Sequence, residues 1–263
     1  TLAGVNSGMR PPVFFQKTMG SGGGTGKAFS LFYASGYPAA AAAPTPGLGG
    51  AALTTYAGQL NWTNPATGNS YLARLQASAN NAGTLLLCDR LWHNSGLSLT
   101  TITAQTVNSV AFPARDANGA VSGEDVLIGL EITTATGAGT PLLSMTYTNS
   151  AGTGSKVGAG IIGTVATSAV GSFYPIGLAA GDTGVQSIQN FTLSATWTSG
   201  AASLVAYRIL AALELPSSFN TSGIDAVSSG FTRMLDGTVP FLIYLPAGSN
   251  TPLVNGQLVY TQG

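Results

Sequence analysis

Apolar and polar residues alternate along most of the chain from about residue 55. In SIQNFTLSATWTS, the side chains of Phe191, Leu193, Ala195 and Trp197 are expected on one face, and the threonines and serine between them on the other. This period of two predicts a half-buried β-strand. Two further segments, VLIGLEITT and LLSMTYT, have the same period, with inward residues Val126, Ile128, Leu130, Ile132, Leu143, Met145 and Tyr147. The pattern therefore predicts an all-β protein.

The spacing of these strands predicts how the chain is organised. Short strands separated by Gly, Asn, Asp and Pro favour a β-sandwich, with a jelly roll as first choice, over residues 53–215. Residues 1–52 are rich in Gly, Pro and Ala and predict an extended arm without a core of its own. The apolar patches VFF and FSLFY in this arm must then pack on the main domain or on a neighbouring copy.

Residues 216–263 form a predicted C-terminal extension. It contains two short apolar runs, PFLIYLP and GQLVY, each of strand length. These runs predict either a terminal hairpin or strands that add to the sheet edge of another subunit.

Charged residues are scarce, and this narrows the classes of partner. The chain has nine Lys and Arg, nine Asp and Glu and a net charge of zero, so charged residues make up 7%, against the roughly 25% of ordinary soluble domains. Few charges leave little repulsion between copies, which favours a homo-oligomer, most simply a trimer. Because nucleic acids and anionic membranes attract clustered cations, we expect neither as a partner.

The segment GSGGGTGKAF, residues 20–29, resembles a phosphate-binding loop. Such a loop needs a glycine, four residues, then Gly-Lys and a hydroxyl residue that binds magnesium. Here Ser21 stands in place of the first glycine and Ala28 in place of the hydroxyl residue. We therefore expect a flexible glycine-rich segment and no nucleotide cofactor.

Two residues are candidates for catalysis. Asp182 lies in GDTGV, and Asp-Thr-Gly carries the catalytic carboxylate of aspartic proteases, which a chain with one copy would have to complete by dimerising. The preceding Ala180-Gly181 is not the apolar strand end of that family, so a turn residue is the simpler interpretation. His93 is the single histidine, and with no G-x-S-x-G motif we interpret it as a structural residue packed by Trp92.

The loop PARDANGAVSGEDVL, residues 113–127, has the acidic character of a calcium loop. The EF-hand order fails, because Gly119 comes too early and the twelfth position is Leu127. A calcium site of another type stays open, but a solvated hairpin with Arg115 paired locally is the simpler interpretation. Cys88 is the single cysteine and is expected to be a small core residue. We therefore assign no catalytic, cofactor-binding or metal-binding residue.

Three segments together resemble structural proteins from the virions of tailed bacteriophages: LLLCDRLWHNSGL, FPARDANGAVSGEDVLIGLEI and LAAGDTGVQSIQNFTL. The resemblance covers roughly residues 70–215. It implies a non-enzymatic β-sandwich of the virus particle, of the capsid decoration or cement, vertex or neck, or fibre-associated type. The implied partners are further copies of the chain and the major capsid protein or other virion proteins.

Two alternatives of other classes remain. An exported adhesin or carbohydrate-binding module would use Trp62, Trp92 and Trp197 as stacking platforms, although the alternation places Trp197 in the core. A dimeric aspartic protease using Asp182 is the third interpretation.

Overall fold

The computed structural model of the chain describes residues 8–19, 27–216, 218–248 and 253–263. Apart from a 3-10 helix at Leu31–Tyr33, the regular elements in these residues are all β-strands. They are β1 (Val13–Thr18), β2 (Ala28–Ser30), β3 (Ser35–Tyr37), β4 (Ala51–Ala52), β5 (Ser70–Ala79), β6 (Gly83–His93), β7 (Leu97–Ser98), β8 (Gln105–Thr106), β9 (Leu127–Thr134), β10 (Leu143–Asn149), β11 (Lys156–Gly160), β12 (Ser172–Gly177), β13 (Val185–Leu193), β14 (Ala201–Leu215), β15 (Ser222–Asp225), β16 (Arg233–Met234), β17 (Pro240–Pro246) and β18 (Leu253–Gln262). The predicted all-β class is confirmed.

The strands form two compact units. The first consists of Thr1–Ala41, Thr54–Asp89 and Ile209–Gly263, and the second of Ala42–Leu53 and Arg90–Arg208. The boundary falls inside β6 and inside β14. These limits differ from the predicted boundaries after residues 52 and 215, since the first unit takes strands from the predicted arm, sandwich and extension alike.

The first unit contains two layers of strands. One is the sheet β15-β5-β18-β1-β3, with β16 also paired to β5, and the other includes β17 between β2 and β6. Apolar side chains from both layers, such as Leu75 and Leu258 from one and Leu87 and Leu242 from the other, belong to a single buried cluster. This arrangement is a β-sandwich, in which burial of the two inner faces supplies the stabilisation.

The predicted arm is part of this sandwich. Strand β1 pairs along its whole length with β18 and also pairs with β3. Its residues alternate, so that Val13 and Phe15 are buried while Phe14 is exposed. Phe29, Leu31 and Phe32 of FSLFY are buried as well. Of the two interpretations left open by the sequence, packing within the same chain is the one observed.

The two C-terminal strands do not form the predicted hairpin. Strand β17 pairs with β6 and β2, whereas β18 pairs with β5 and β1 in the other sheet. The two strands separate because each has an apolar face that completes a different layer of the first unit: Leu242 and Tyr244 on one side, Val254 and Leu258 on the other.

The second unit is built from one sheet, in the order β14-β9-β12-β11-β10-β13-β8, with β7 beside β14. Inward side chains from strands far apart in this order, including Ile128, Leu204, Met145 and Phe191, belong to one buried cluster. The sheet therefore curls around its own core. The inward residues predicted on the segments 126–132 and 143–147 are buried. The alternation is confirmed on β10, whereas β9 is buried on both faces from Ile128 to Ile132.

Strand β13 is shorter than the alternation predicts. It ends at Leu193, and Ala195, expected to face inward, is exposed. Ser194 N–H still donates to Leu142 O, just before β10, at 3.0 Å, but Trp197 N–H donates to Leu99 O in a loop, also at 3.0 Å. Trp197 is nevertheless fully buried, so the predicted core position is correct although the element is a loop.

Candidate functional site

A patch of exposed apolar side chains lies on the outer face of β10 and β11 in the second unit. The strands pair with Ser144 opposite Ala159 and Thr146 opposite Val157. By the same alternation, Leu142 and Ile161 continue these outward rows just beyond the strand ends. Leu142 is 69% exposed, Ile161 68% and Val157 59%. We call Leu142, Val157, Ala159 and Ile161 the β10–β11 patch.

The patch lies in a part of the chain almost without charge. Between Glu131 and Asp182 the sequence contains a single charged residue, Lys156. A Cβ atom on Gly177 would lie 3.1 Å from Ile161 Cγ1, so the glycine leaves the room that the Ile161 side chain occupies. Contiguous apolar surface without charges on a sheet face is typical of protein interaction sites.

A charged cluster lies inside the second unit. Arg90 on β6 donates from Nη1 to Glu131 Oε1 at 3.0 Å and from Nη2 to Glu131 Oε2 at 2.6 Å, and both side chains are fully buried. Arg115 donates to the carbonyl oxygen of Arg90 at 3.2 Å and to that of Leu53 at 2.7 Å. The two buried arginines thus satisfy a carboxylate and backbone carbonyls, as buried charges must.

His93 belongs to this cluster. Arg90 Nε donates to His93 Nδ1 at 3.3 Å, and the imidazole is almost completely buried. Burial, and secondarily the positive charge of Arg90, lowers the pKa of His93 to about 3. An imidazole with so low a pKa is neutral at pH 7 and too weak a base for general-base catalysis there.

The low pKa of His93 predicts a loss of stability in mild acid. An unfolded histidine takes up a proton near pH 6.5, whereas His93 in the folded protein does so only near pH 3. Stability is therefore complete above pH 6.5 and falls as the pH decreases toward 3. We expect the free energy of unfolding, measured with urea, to fall by about 2 kcal/mol between pH 7 and pH 5. A His93→Gln variant should lose most of this dependence, and an unchanged slope would contradict the assignment.

Asp182, the candidate protease residue, is held in a turn after Gly181. Its Oδ2 accepts a hydrogen bond from Tyr147 Oη at 2.6 Å and its Oδ1 accepts one from Asn149 Nδ2 at 2.7 Å. These bonds, with a smaller contribution from Lys156, lower the pKa of Asp182. A protease dyad needs a carboxyl that faces its counterpart, whereas both oxygens of Asp182 are bonded within its own chain. The geometry fits a carboxylate that fastens a turn to β10.

Asp116 organises the loop that was considered for calcium. Its carboxylate accepts bonds from the Ser122 hydroxyl and from backbone N–H groups of Asn118, Ala120, Gly123 and Glu124, at 2.7 to 3.3 Å. Burial raises the pKa of Asp116, but these hydrogen bonds outweigh it and lower the pKa overall. Both oxygens are thus occupied by donors, whereas a calcium ion needs them as ligands. Across the described ranges, no three His, Cys, Asp or Glu side chains are grouped to hold a metal ion.

The three tryptophans are not surface platforms. Trp92 and Trp197 are fully buried and Trp62 is 8% exposed. Trp92 Nε1 donates to Gly49 O and Trp197 Nε1 to Val165 O, both at 3.1 Å. The adhesin interpretation as it rested on these residues is therefore wrong. Cys88 is buried in β6 as predicted. Of the phosphate-loop candidate at 20–29, residues 20–26 lie outside the described residues.

The surfaces that carry no ionisable group were not predicted from the sequence. The sequence does contain a sign of the β10–β11 patch, namely apolar residues at outward positions. Leu142 stands directly before the inward Leu143, and Val157, Ala159 and Ile161 occupy alternate positions along and just beyond β11. The signal was ambiguous, since apolar residues on both faces also occur in a fully buried strand. Lys17 was missed too: it is buried and donates to Pro38 O at 2.6 Å, and burial lowers its pKa to about 8.

Comparisons with known proteins give no close relative. No family model and no curated protein matches the chain. Among solved structures, T=1 particles derived from infectious bursal virus match with 9% identity and a TM-score of 0.24, covering 97% of this chain and 77% of that chain. The VP2 subviral particle of infectious bursal disease virus matches with 10% identity and a TM-score of 0.20, covering 97% and 80%. TM-scores this low do not establish a common fold.

The described part of the chain contains no helix that is long and apolar enough to cross a membrane.

Proposed function

We propose that this protein is a non-enzymatic structural component of a virus particle. Within that class, the resemblance to tailed-bacteriophage virion proteins favours a capsid decoration or cement protein, or a vertex or neck protein. The proposed partners are further copies of the chain, most simply in a trimer, and the major capsid protein or another virion protein. Its proposed location is the virion.

The β10–β11 patch is the observation that carries this proposal. Three large apolar side chains, each more than half exposed, lie on one uncharged sheet face. Removing apolar surface from water gains about 25 cal/mol per Å2, so an interface over this face is favoured. Because only 7% of the residues are charged, there is little electrostatic repulsion between copies of the chain. This property suits a protein that works inside an assembly.

The assembly proposal is tested by native mass spectrometry of the full chain at micromolar concentration. We expect a defined oligomer for the wild type and a monomer for the double variant Leu142→Lys/Ile161→Lys, because two cations cannot be buried unpaired at an interface. Ile102→Lys is the matched control, since Ile102 is equally exposed, at 60%, but lies outside the patch. A monomeric wild type, or an oligomer unchanged by the double variant, would count against the patch.

The location is tested separately. Particles purified on a density gradient from infected cells should contain the chain in a fixed ratio to the major shell protein, as read by quantitative mass spectrometry. Its absence from such particles would overturn the virion assignment even if the oligomer were confirmed.

A further inference from the structure

Two rows of outward side chains cross the first sheet of the first unit. In one, Phe14 on β1 pairs with Gln257 on β18, Gln257 with Gln76 on β5, and Gln76 with Gly223 on β15. In the next, Gln16 pairs with Tyr37 on β3 and with Asn255 on β18, and Asn255 with Ser78 on β5. The rows are neutral throughout and combine amides with aromatic rings.

A groove of about 200 Å3 opens along these rows. Its walls are Phe14, Gln76, Ala77, Ser78, Thr221, Asn255, Gly256 and Gln257. Gly223 leaves the space that the Gln76 side chain occupies, because a Cβ atom there would lie 2.7 Å from Gln76 Cγ. Gln76 in turn lines the groove.

The polar groups of the groove are held in place by one another. Gln257 Nε2 donates to Gln76 Oε1 at 2.8 Å, and the Ser78 hydroxyl donates to Asn255 Oδ1 at 2.8 Å. Each amide carries one carbonyl oxygen and two N–H donors, so it can bond to a ligand as well as to its partner. Amides that are already held in place can orient a ligand, and their side chains lose little conformational entropy when it binds.

An aromatic surface lies at one end of the groove. The Phe14 side chain is 51% exposed and stacks with Tyr37, with ring centroids 6.4 Å apart and planes at 24°. Tyr37 is itself 59% exposed. The stack fixes the orientation of the Phe14 ring and presents an apolar face next to the amides.

We propose that this groove binds a neutral carbohydrate. A sugar ring has hydroxyl groups around its rim, which pair with amides as both donors and acceptors, and a C–H face that packs on an aromatic ring. Phosphate, sulfate or carboxylate ligands are disfavoured, because the described residues that line the groove include no Lys or Arg to pair with them. The site is independent of the β10–β11 patch and goes beyond a structural role in a particle.

The test applies the fluorescently labelled full chain to an array that carries neutral, sialylated and sulfated glycans side by side. We expect signals on neutral glycans. For the strongest of these, calorimetry should show that Phe14→Ala weakens binding by about tenfold, while Phe14→Tyr, which keeps the ring, retains it. Gln257→Ala should weaken binding as well.

Phe231→Ala is the matched control, since Phe231 is also exposed, at 44%, and does not line the groove. Its affinity should equal that of the wild type. Three results would overturn the proposal: no signal on any neutral glycan, signals confined to sialylated or sulfated glycans, or wild-type affinity in Phe14→Ala.

Discussion

Replacing Arg90 with methionine is expected to destabilise the protein by about 3–5 kcal/mol, because it leaves the Glu131 carboxylate buried without its partner. Both side chains are fully buried, and the pair is joined by two hydrogen bonds of 3.0 and 2.6 Å. The desolvation cost of Glu131 then has nothing to offset it. Urea unfolding at pH 7 measures the loss directly.

The double variant Arg90→Met/Glu131→Leu distinguishes the contribution of the ion pair from that of the packing around it. Removing both charges removes the desolvation cost as well, so the double variant should regain most of the stability lost by Arg90→Met. If the double variant is instead less stable than either single variant, then the packing around the two side chains, and not their pairing, determines the effect.

Leu193→Ala is expected to cost about 2–5 kcal/mol, since it removes buried methyl groups and leaves a cavity. Leu193 is 1% exposed at the end of β13, opposite Leu143 of β10, and both belong to the core of the second unit. Differential scanning calorimetry and urea unfolding should agree on the size of the loss.

The matched control for Leu193→Ala lies three residues further along. Thr196 is exposed, and Thr196→Ala should change stability by no more than about 0.5 kcal/mol. Ser194 is less suitable as a control, because its hydroxyl accepts a hydrogen bond from Leu142 N–H at 2.8 Å. Equal losses at positions 193 and 196 would contradict the inward assignment of Leu193.

The fold class was predictable because one property, alternation, has a direct structural meaning. The inward face of β10 follows from the sequence alone, since its other face is polar. The inward residues of β9 follow from their spacing, although that strand is buried on both faces from Ile128 to Ile132. The end of β13 was not predictable, because SATW continues the alternation that FTL begins. Beyond Leu193 the Trp197 N–H donates to Leu99 O, in a loop far away along the chain, and such pairing leaves no local signal.

The division into units was not predictable for a similar reason. In the sequence, strand β1 looks like part of a glycine-rich arm. Its apolar face can be recognised as part of a core only once its pairing with β18 is known. The candidate sites show the same limit. Asp182 and His93 could be found as residue types, but the donor to Asp182 comes from Tyr147, 35 residues away, and the neighbours that bury His93 come from the folded unit. The donors to Asp116 meet only once their loop has folded. The neutral groove could not be found from any single segment, because its rows cross four strands.

The position of β18 also determines the order in which the two units can fold during translation. Strand β18 lies between β1 and β5, so the sheet of the first unit cannot close until the last of its strands has been made. At ~5–20 residues per second, β1 waits roughly 10–50 s for that partner. All residues of the second unit are translated before β17 and β18. The growing chain can therefore complete the core of the second unit first, while Phe15 and its neighbours stay accessible to chaperones until β18 has been translated.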